Sequence, residues 1–437
     1  MVRATRRTAD VAHCFGVVPA GERVVLADLQ VELGPGRIVV FVGPSGSGKS
    51  TALGLIEREC PRSFNVSRVS FPAGQALVDA VAPRGSLAEA LEILSLCALG
   101  EAPLWLRSFA ELSAGEQFRA RLARAVGAAA DRGGGTLLVD EFASGLHRRA
   151  AKAIAHNLRK LATQRRLCVV LATSHEDVLA DLQADTQVTL SRQGRSVVKQ
   201  RVPHRRPVSL WRRLRITRAS KRDYEAFAQM HYRATDELGF VDKVYALREG
   251  AGGEPLAIVV YSFGPAELAL RNQATDGRFT RNLGRLNREM RILRRLVVHP
   301  DLRGCGVGHR FVRRTLPMVG TRFVECLATM GAVNPVFERA GMRRIGVCAA
   351  PANRERVVKR LRELQVDPFA TDFETQVCRR PRVRALVAEV VTDWYQATTA
   401  GGERRVVRQS PRLLARIFRG LVGNRPVYYL WRNGAKK

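Results

Sequence analysis

Three short runs of unbroken apolar residues punctuate the first half of the chain: Ile38-Val39-Val40-Phe41-Val42, Leu137-Leu138-Val139 and Val169-Val170-Leu171-Ala172. Runs of this length without polar alternation fit strands covered on both faces. Between the first two, Phe118–Ala130 mixes basic and apolar residues at helical spacing. Strands alternating with helices, with polar groups gathered where the strands end, predict a mostly parallel α/β sheet whose site lies along that edge.

The second half reads differently. Its pattern predicts a strand near Leu214–Ala219, a helix Arg222–His231, strands Lys243–Leu247 and Ala257–Ser262, a long strand Met290–His299, a helix His309–Leu316 and a strand Val324–Met330. Basic helices follow at Arg354–Leu364 and Arg412–Leu421, the second with Arg412, Arg416 and Arg419 spaced along one face for phosphate contacts. The period-2 run Pro426–Arg432 predicts a closing strand with its rings in the core, the alternative being rings that stack on an exposed base. Residues 198–215, arginine-dense and holding two prolines, read as a linker or as a basic edge strand. The division expected is therefore 1–200, a basic linker 201–215, a core 216–350, and a basic extension 351–437 that closes the second domain.

Composition adds an asymmetry. The 437 residues carry a net charge of +32, and residues 201–437 hold 47 basic against 21 acidic side chains. A surplus of +26 in that half points to a polyanion, nucleic acid first, with a merely solubilising surface as the bland alternative. No stretch reaches the ~18–20 apolar residues that span a bilayer, and the opening MVRATRRTAD lacks a signal-peptide core. The expectation is a soluble, cytoplasmic protein without a membrane partner. Eight cysteines at 14, 60, 97, 168, 305, 326, 348 and 378 are dispersed, with no metal-ligand spacing, and read as reduced.

Candidate chemistry begins with Gly43-Pro44-Ser45-Gly46-Ser47-Gly48-Lys49-Ser50-Thr51, directly after the first apolar run. Glycines at these positions let backbone N–H groups close around phosphates, Lys49 reaches the outer ones, and the Ser50 hydroxyl can ligate Mg²⁺. A helix that starts here adds the positive end of its dipole. Then come Leu112-Ser113-Ala114-Gly115-Glu116-Gln117 ahead of the basic helix, Asp140-Glu141 closing the second apolar run, Ser144-Gly145-Leu146-His147, and Ser174-His175 after the third.

This ordered set resembles the ATP-binding-cassette (ABC) ATPases over about residues 10–200. The resemblance implies ATP and Mg²⁺ as ligands, Asp140 orienting the metal, Glu141 polarising the attacking water, and His175 sensing the γ-phosphate. It implies further that Gln75, in Gly74-Gln75-Ala76-Leu77, joins Ser50 and Asp140 around Mg²⁺, and that Phe15 stacks on adenine. A surface amide and a core aromatic are the competing readings of those last two. Ser113, Gly115 and Glu116 would cap the phosphates held by a second copy, so that one cassette per chain implies a homodimer. Three positions depart from the family pattern: Ala114 for glycine, Glu116 for glutamine, His147 for aspartate. Lys49 and Ser113 lie only 64 positions apart, short for a transporter cassette, which makes transport a minor reading.

A second glycine loop follows the long strand: His299-Pro300-Asp301-Leu302-Arg303-Gly304-Cys305-Gly306-Val307-Gly308. From the residues alone it is an anion-binding strand-to-helix turn. With Leu296–Pro300 before it and Asn334-Pro335-Val336-Phe337-Glu338-Arg339-Ala340-Gly341-Met342 after, it resembles the acyl-CoA core of the GNAT-type N-acetyltransferases over about residues 213–350. That resemblance implies acetyl-CoA or another acyl donor, its pyrophosphate on the amides of Arg303, Gly304, Gly306 and Gly308, and its pantetheine arm along Val298. Where many such enzymes carry a tyrosine acid, this chain has Phe337. Glu289 as general base and His231-Tyr232 as a substrate-side pair are the candidates to complete the chemistry, with surface or core-lining roles as alternatives. The whole architecture is similar to prokaryotic ABC ATPase–acetyltransferase fusions, whose second domain looks related to phage Mom DNA-modification acyltransferases. The expected protein is a P-loop ABC ATPase domain followed by an α+β GNAT-like domain, acting on nucleic acid. Alternatives are an ATP-dependent nucleic-acid switch with a silent GNAT-like module, and an ATP-regulated small-molecule or protein acetyltransferase.

Overall fold

The structure is a computed structural model that describes residues 5–16, 26, 29–191, 196–201, 212–228, 230, 238–250, 252–349, 353–398, 409–423 and 425–434. It divides into two compact units, 1–209 and 210–437.

In the first unit the strands are β1 Ile38–Val42, β2 Ser63–Asn65, β3 Thr136–Val139, β4 Cys168–Thr173, β5 Thr186–Leu190 and β6 Ser196–Gln200. They form one sheet in the order β2-β3-β4-β1-β5-β6, parallel except for the β5–β6 pair. Every residue of β1 and β4 is buried. The unbroken apolar run makes this possible, because alternate residues face opposite layers. Ile38, Val40 and Val42 join one apolar cluster with the helices Leu87–Leu96, Ala114–Asp131 and Arg148–Arg165, while Val39 and Phe41 pack in another with the helix Lys49–Glu59. One polar knot holds the sheet's entry side. The Asp185 carboxylate accepts from the backbone N–H of Ile38 (2.6 Å) and from Arg159 (2.6 Å).

The second unit carries β7 Leu214–Ala219, β8 Val241–Glu249, β9 Pro255–Ser262, β10 Met290–Val298, β11 Phe323–Ala328, β12 Arg343–Val347 and β13 Val427–Arg432. Their order is β12-β13-β11-β10-β9-β8-β7, antiparallel save for the parallel β10–β11 pair. That pair runs from Met290↔Phe323 to Leu293↔Cys326 and stops there, and β10 is bulged against β9 between Leu293 and Arg295. Four helices, Arg354–Glu363, Phe373–Arg379, Pro381–Thr398 and Pro411–Gly423, bury their own apolar cluster that includes Leu361, Phe373, Val387 and Phe418.

Several sequence expectations need correction. Val198–Gln200 lie in edge strand β6, and Leu214 and Arg215 begin edge strand β7, so both ends of the stretch 198–215 follow the edge-strand alternative, and 202–211 lie outside the described residues. The helix Lys221–Ala228 ends before His231 and Tyr232, which lie outside the described residues. Glu289 closes the helix Leu283–Glu289 instead of opening the long strand. The run Pro426–Arg432, by contrast, forms the closing strand expected of it: β13 lies between β12 and β11, and the rings of Tyr428 and Tyr429 are fully buried, which leaves out the alternative of rings stacked on a base.

Candidate functional site

The C-terminal ends of β1, β3 and β4 deliver the predicted groups of the first unit to one edge. Val42 pairs with Thr173 and Val139 with Leu171, so Gly43, Asp140 and His175 each follow a strand within the same three-stranded block. The loop after β1 is built for a phosphate. Gly46 (φ 77°) and Gly48 (φ 93°) hold left-handed conformations that glycine adopts without steric cost. A Cβ at Gly43 would sit 2.3 Å from the carbonyl oxygen of Leu190. Gly48 caps the eleven-residue helix Lys49–Glu59 with no side chain, which leaves the first N–H groups aimed into the loop.

Within that loop Lys49 Nζ donates to the carbonyls of Gly43 (2.7 Å) and Pro44 (2.8 Å). Ser47 Oγ is buried without a hydrogen-bond partner. A cation held at the loop and a buried hydroxyl without a hydrogen-bond partner are the groups an anion-binding loop presents. Ser50 and Thr51 are exposed at the helix start, and Pro44, Ser45 and Gly46 form the exposed rim.

Asp140 follows β3, and its carboxylate accepts from the N–H of Glu141 (2.8 Å), which fixes its orientation. Glu141 is exposed and has φ 48°, a left-handed conformation uncommon outside glycine. Thr173, fully buried, holds this turn against β4: its hydroxyl donates to the carbonyl of Phe142 (2.7 Å) and accepts from the N–H of His175 (3.0 Å). Arg148, at the start of the next helix, pairs with Asp177, two residues beyond His175, and holds that carboxyl below its usual range. The turns bearing Glu141, His147 and His175 are thus tied together. Gln75 sits in the turn before the helix Leu77–Val81, partly exposed. Phe15 ends the helix Arg6–Phe15, which buries none of its residues, and is 75% exposed.

Ser113 caps the helix Ala114–Asp131 from an exposed position. Its N–H and its hydroxyl both donate to the Glu116 carboxylate, at 2.9 and 2.8 Å. Partial burial would raise the Glu116 pKa, but these two bonds, with Arg119 and Arg107 nearby, outweigh it and leave the group below 4.5. A carboxyl with a depressed folded-state value stabilises above its unfolded value and loses that contribution as the pH falls. The thermal midpoint of the wild type should therefore exceed that of Glu116→Gln above pH 4.5, and the gap should close on acidification below it. Gly115 lies against the Ser144–His147 turn, where an added Cβ would come 3.4 Å from the Gly145 carbonyl.

No protein-family model matches the chain. The zinc import ATP-binding protein ZnuC of Alcanivorax borkumensis is 30% identical over 197 residues, covering 40% of this chain and 72% of that protein. The hemin import ATP-binding protein HmuV of Streptomyces coelicolor is 31% identical over 212 residues, covering 41% of this chain and 73% of that protein. The chain belongs to the ABC-type ATP-binding proteins. Among solved structures, the dimeric bacterial ABC transporter cassette MJ0796 aligns with a TM-score of 0.34 at 21% identity, covering 40% of this chain and 90% of that one. The two sequence matches leave more than half of the chain uncovered.

The second unit repeats one device of the ABC-type loop. Gly306 caps the twelve-residue helix Val307–Met318 at φ 83°, ψ 11°, close to the φ 93°, ψ 9° of Gly48, and again no side chain caps the helix. Gly304 is also left-handed (φ 84°), and a Cβ at Gly308 would touch Val298 at 3.5 Å. Arg303 is engaged inside the protein, donating to the carbonyls of Val298 (2.9 Å) and Met230 (2.7 Å). Glu289 receives both arms of Arg278 (2.8 and 2.9 Å), which holds it below the usual carboxylate range and weakens it as a base. Phe337 is buried with its ring 5.6 Å from that of Tyr429. The phosphate face read onto the helix Pro411–Gly423 is partly spent: Arg416 pairs with Glu374 (3.2 Å), and Arg419 donates to the Pro368 carbonyl (2.7 Å) and lies 5.3 Å from the ring of Phe373.

Thr173 had no motif to announce it. Its role depends on Phe142 and His175 meeting at a strand end, which only the β3–β4 pairing brings about.

Proposed function

We propose that the chain is an ATPase whose cassettes pair as a homodimer over two ATP molecules, coupled to an acyl-CoA-dependent acyltransferase unit that acts on nucleic acid. In the first unit the supporting observation is the unpartnered Ser47 hydroxyl beside Lys49, at an uncapped helix. Lys49 would leave the Gly43 and Pro44 carbonyls for the outer phosphates. Ser50 and Asp140, with Gln75, would hold Mg²⁺, which neutralises charge between the phosphates when bound. Glu141 takes the proton of the attacking water, His175 contacts the γ-phosphate, and Ser113 with Gly115 closes on the phosphates of the partner's ATP.

For the second unit the reading rests on β10. The parallel β10–β11 register runs from Met290↔Phe323 to Leu293↔Cys326, short of Val298, beside which an extended amide-bearing arm could add as a strand. The helix start at Gly306 lies just past that edge, placed for a pyrophosphate. Phe337 cannot donate a proton to a leaving thiolate. Tyr429 is fully buried with its hydroxyl donating to the Gly331 carbonyl (3.2 Å), so the proton for that step comes from another group. The +26 balance of residues 201–437 supports a polyanionic acceptor.

Calorimetry with acetyl-CoA tests the second unit. The wild type should bind, and Gly306→Trp should lose binding at least tenfold, since any side chain at φ 83° is strained and would point toward His309. A wild type that ignores acetyl-CoA would leave the unit as a silent module, the reading that buried Phe337 and occupied Arg303 favour. Nucleosides from cells expressing the protein, compared by mass spectrometry with an Arg303/Gly306 double variant, test the acceptor. No difference would remove nucleic-acid modification.

A further inference from the structure

We infer that Phe240, Phe263 and Arg291 form a stacking platform for an unpaired base, an inference that rests on the nucleic-acid reading above. The three residues lie in one cross-strand row. The N–H of Phe263 donates to the carbonyl of Phe240 (2.9 Å), extending the β8–β9 ladder one step past the Val241↔Ser262 pair. On the other side Ile292 pairs with Ser262, which sets Arg291 beside Phe263. Residues opposed on neighbouring strands project from the same face.

The row is rigid at one end and open at the other. Arg291 lies with its guanidinium carbon 3.9 Å from the centre of the Phe263 ring. It is fixed there by Asp242 (2.8 Å) and by the Met290 carbonyl (2.7 Å), and is only 11% exposed. Phe240 is 84% exposed, whereas the tyrosines of the same sheet, Tyr245, Tyr261, Tyr428 and Tyr429, are buried. A scattered surface phenylalanine is ordinary. Here the ring continues a row whose next member, Phe263, is backed by the Arg291–Asp242 ion pair.

That charge has the sign a nucleic acid needs. Residues 276–291 hold five arginines against two carboxylates, and one of those, Glu289, is taken by Arg278. Arg281 and Arg288 are exposed just ahead of Arg291. Cations for the backbone beside a π-face for a base are the two components of single-strand binding. The π-face discriminates little between bases, so the platform would set the position of a strand more than its sequence. A protein partner would want contiguous apolar surface along the row, which the Arg291–Asp242 ion pair interrupts.

The test is fluorescence anisotropy of the full chain with short single-stranded DNA and RNA, each with and without one abasic position scanned along the strand. Phe240→Ala should weaken binding by about five- to 150-fold, and Phe240→Trp should retain it. The salt dependence of Phe240→Ala should match the wild type, because the ring meets no phosphate, whereas Arg288→Ala should lower the slope by about one. An abasic position that weakens the wild type should cost Phe240→Ala nothing. A wild type that binds no single strand overturns the nucleic-acid reading and the platform together. Salt-dependent binding by the wild type that Phe240→Ala leaves unchanged overturns the platform alone, and capture of a folded protein through Phe240 in place of a strand does the same.

Discussion

Glu325→Gln is expected to destabilise the second unit by about 3–5 kcal/mol, the usual cost of removing one member of a buried ion pair. Glu325 and Arg271 are both wholly buried, joined by two bonds of 2.9 and 2.6 Å. Arg271 spends its remaining donors on the carbonyls of Pro265 (2.9 Å) and Ala266 (3.0 Å), and the Tyr428 hydroxyl donates to the same carboxylate (2.9 Å). Burial and the neighbouring Glu325 charge both push the Tyr428 pKa up, so the phenol remains a donor. A neutral amide would leave the guanidinium charged and uncompensated. Against a typical domain stability of about 5–15 kcal/mol, that loss should move the denaturant midpoint of the second unit while the first keeps its own. Arg271→Met with Glu325→Leu should recover only part of it, since the apolar pair carries no desolvation cost but leaves the Tyr428 hydroxyl and the Pro265 and Ala266 carbonyls without their partners. A single variant as stable as the wild type would show that the pair is not held charged.

Glu141→Gln should lower ATP turnover by about 10²–10⁴-fold, the range for a lost general base, without weakening nucleotide binding. The amide fills the space of the carboxylate but cannot accept a proton, while Lys49, the loop amides and Asp140 are untouched. In the paired-cassette reading the variant should elute as an ATP-bound dimer in gel filtration and return to monomer with ADP. A variant that stays monomeric with ATP would sink the pairing. One that turns over ATP normally would move the base elsewhere.

How much could be read without coordinates follows from the range over which each feature is encoded. The β1 strand and the loop behind it were legible because strand, glycines and Lys49 are contiguous, so local geometry suffices. The start of β10 at Met290 was legible, but the helix Leu283–Glu289 ahead of it was missed, although Asn282, whose side chain accepts from the Arg285 N–H (2.9 Å), is a helix-start signal. The arginines of Pro411–Gly423 carried the correct spacing, but spacing does not tell which face meets Glu374 and Phe373. Arg271 and Glu325, 54 positions apart, had no local signature at all, and neither did the hydroxyl of Thr173. The row of Phe240, Phe263 and Arg291 needed the register of three strands.

Strand β13 carries a consequence for biosynthesis. It fits between β12 and β11, yet Val427 lies 80 positions beyond Val347, the end of β12. At about 5–20 residues per second, a ribosome spends roughly 4–16 s between completing one and the other. Throughout that interval β11 shows an unpaired edge, and Glu325 and Arg271 lack the cover of Tyr428. The seven-stranded order of the second unit therefore cannot close until β13 emerges, whereas all six strands of the first sheet have been made by then. Slow translation of codons 348–426 should lower the soluble yield of the protein by a route that no variant of the ATP site would mimic.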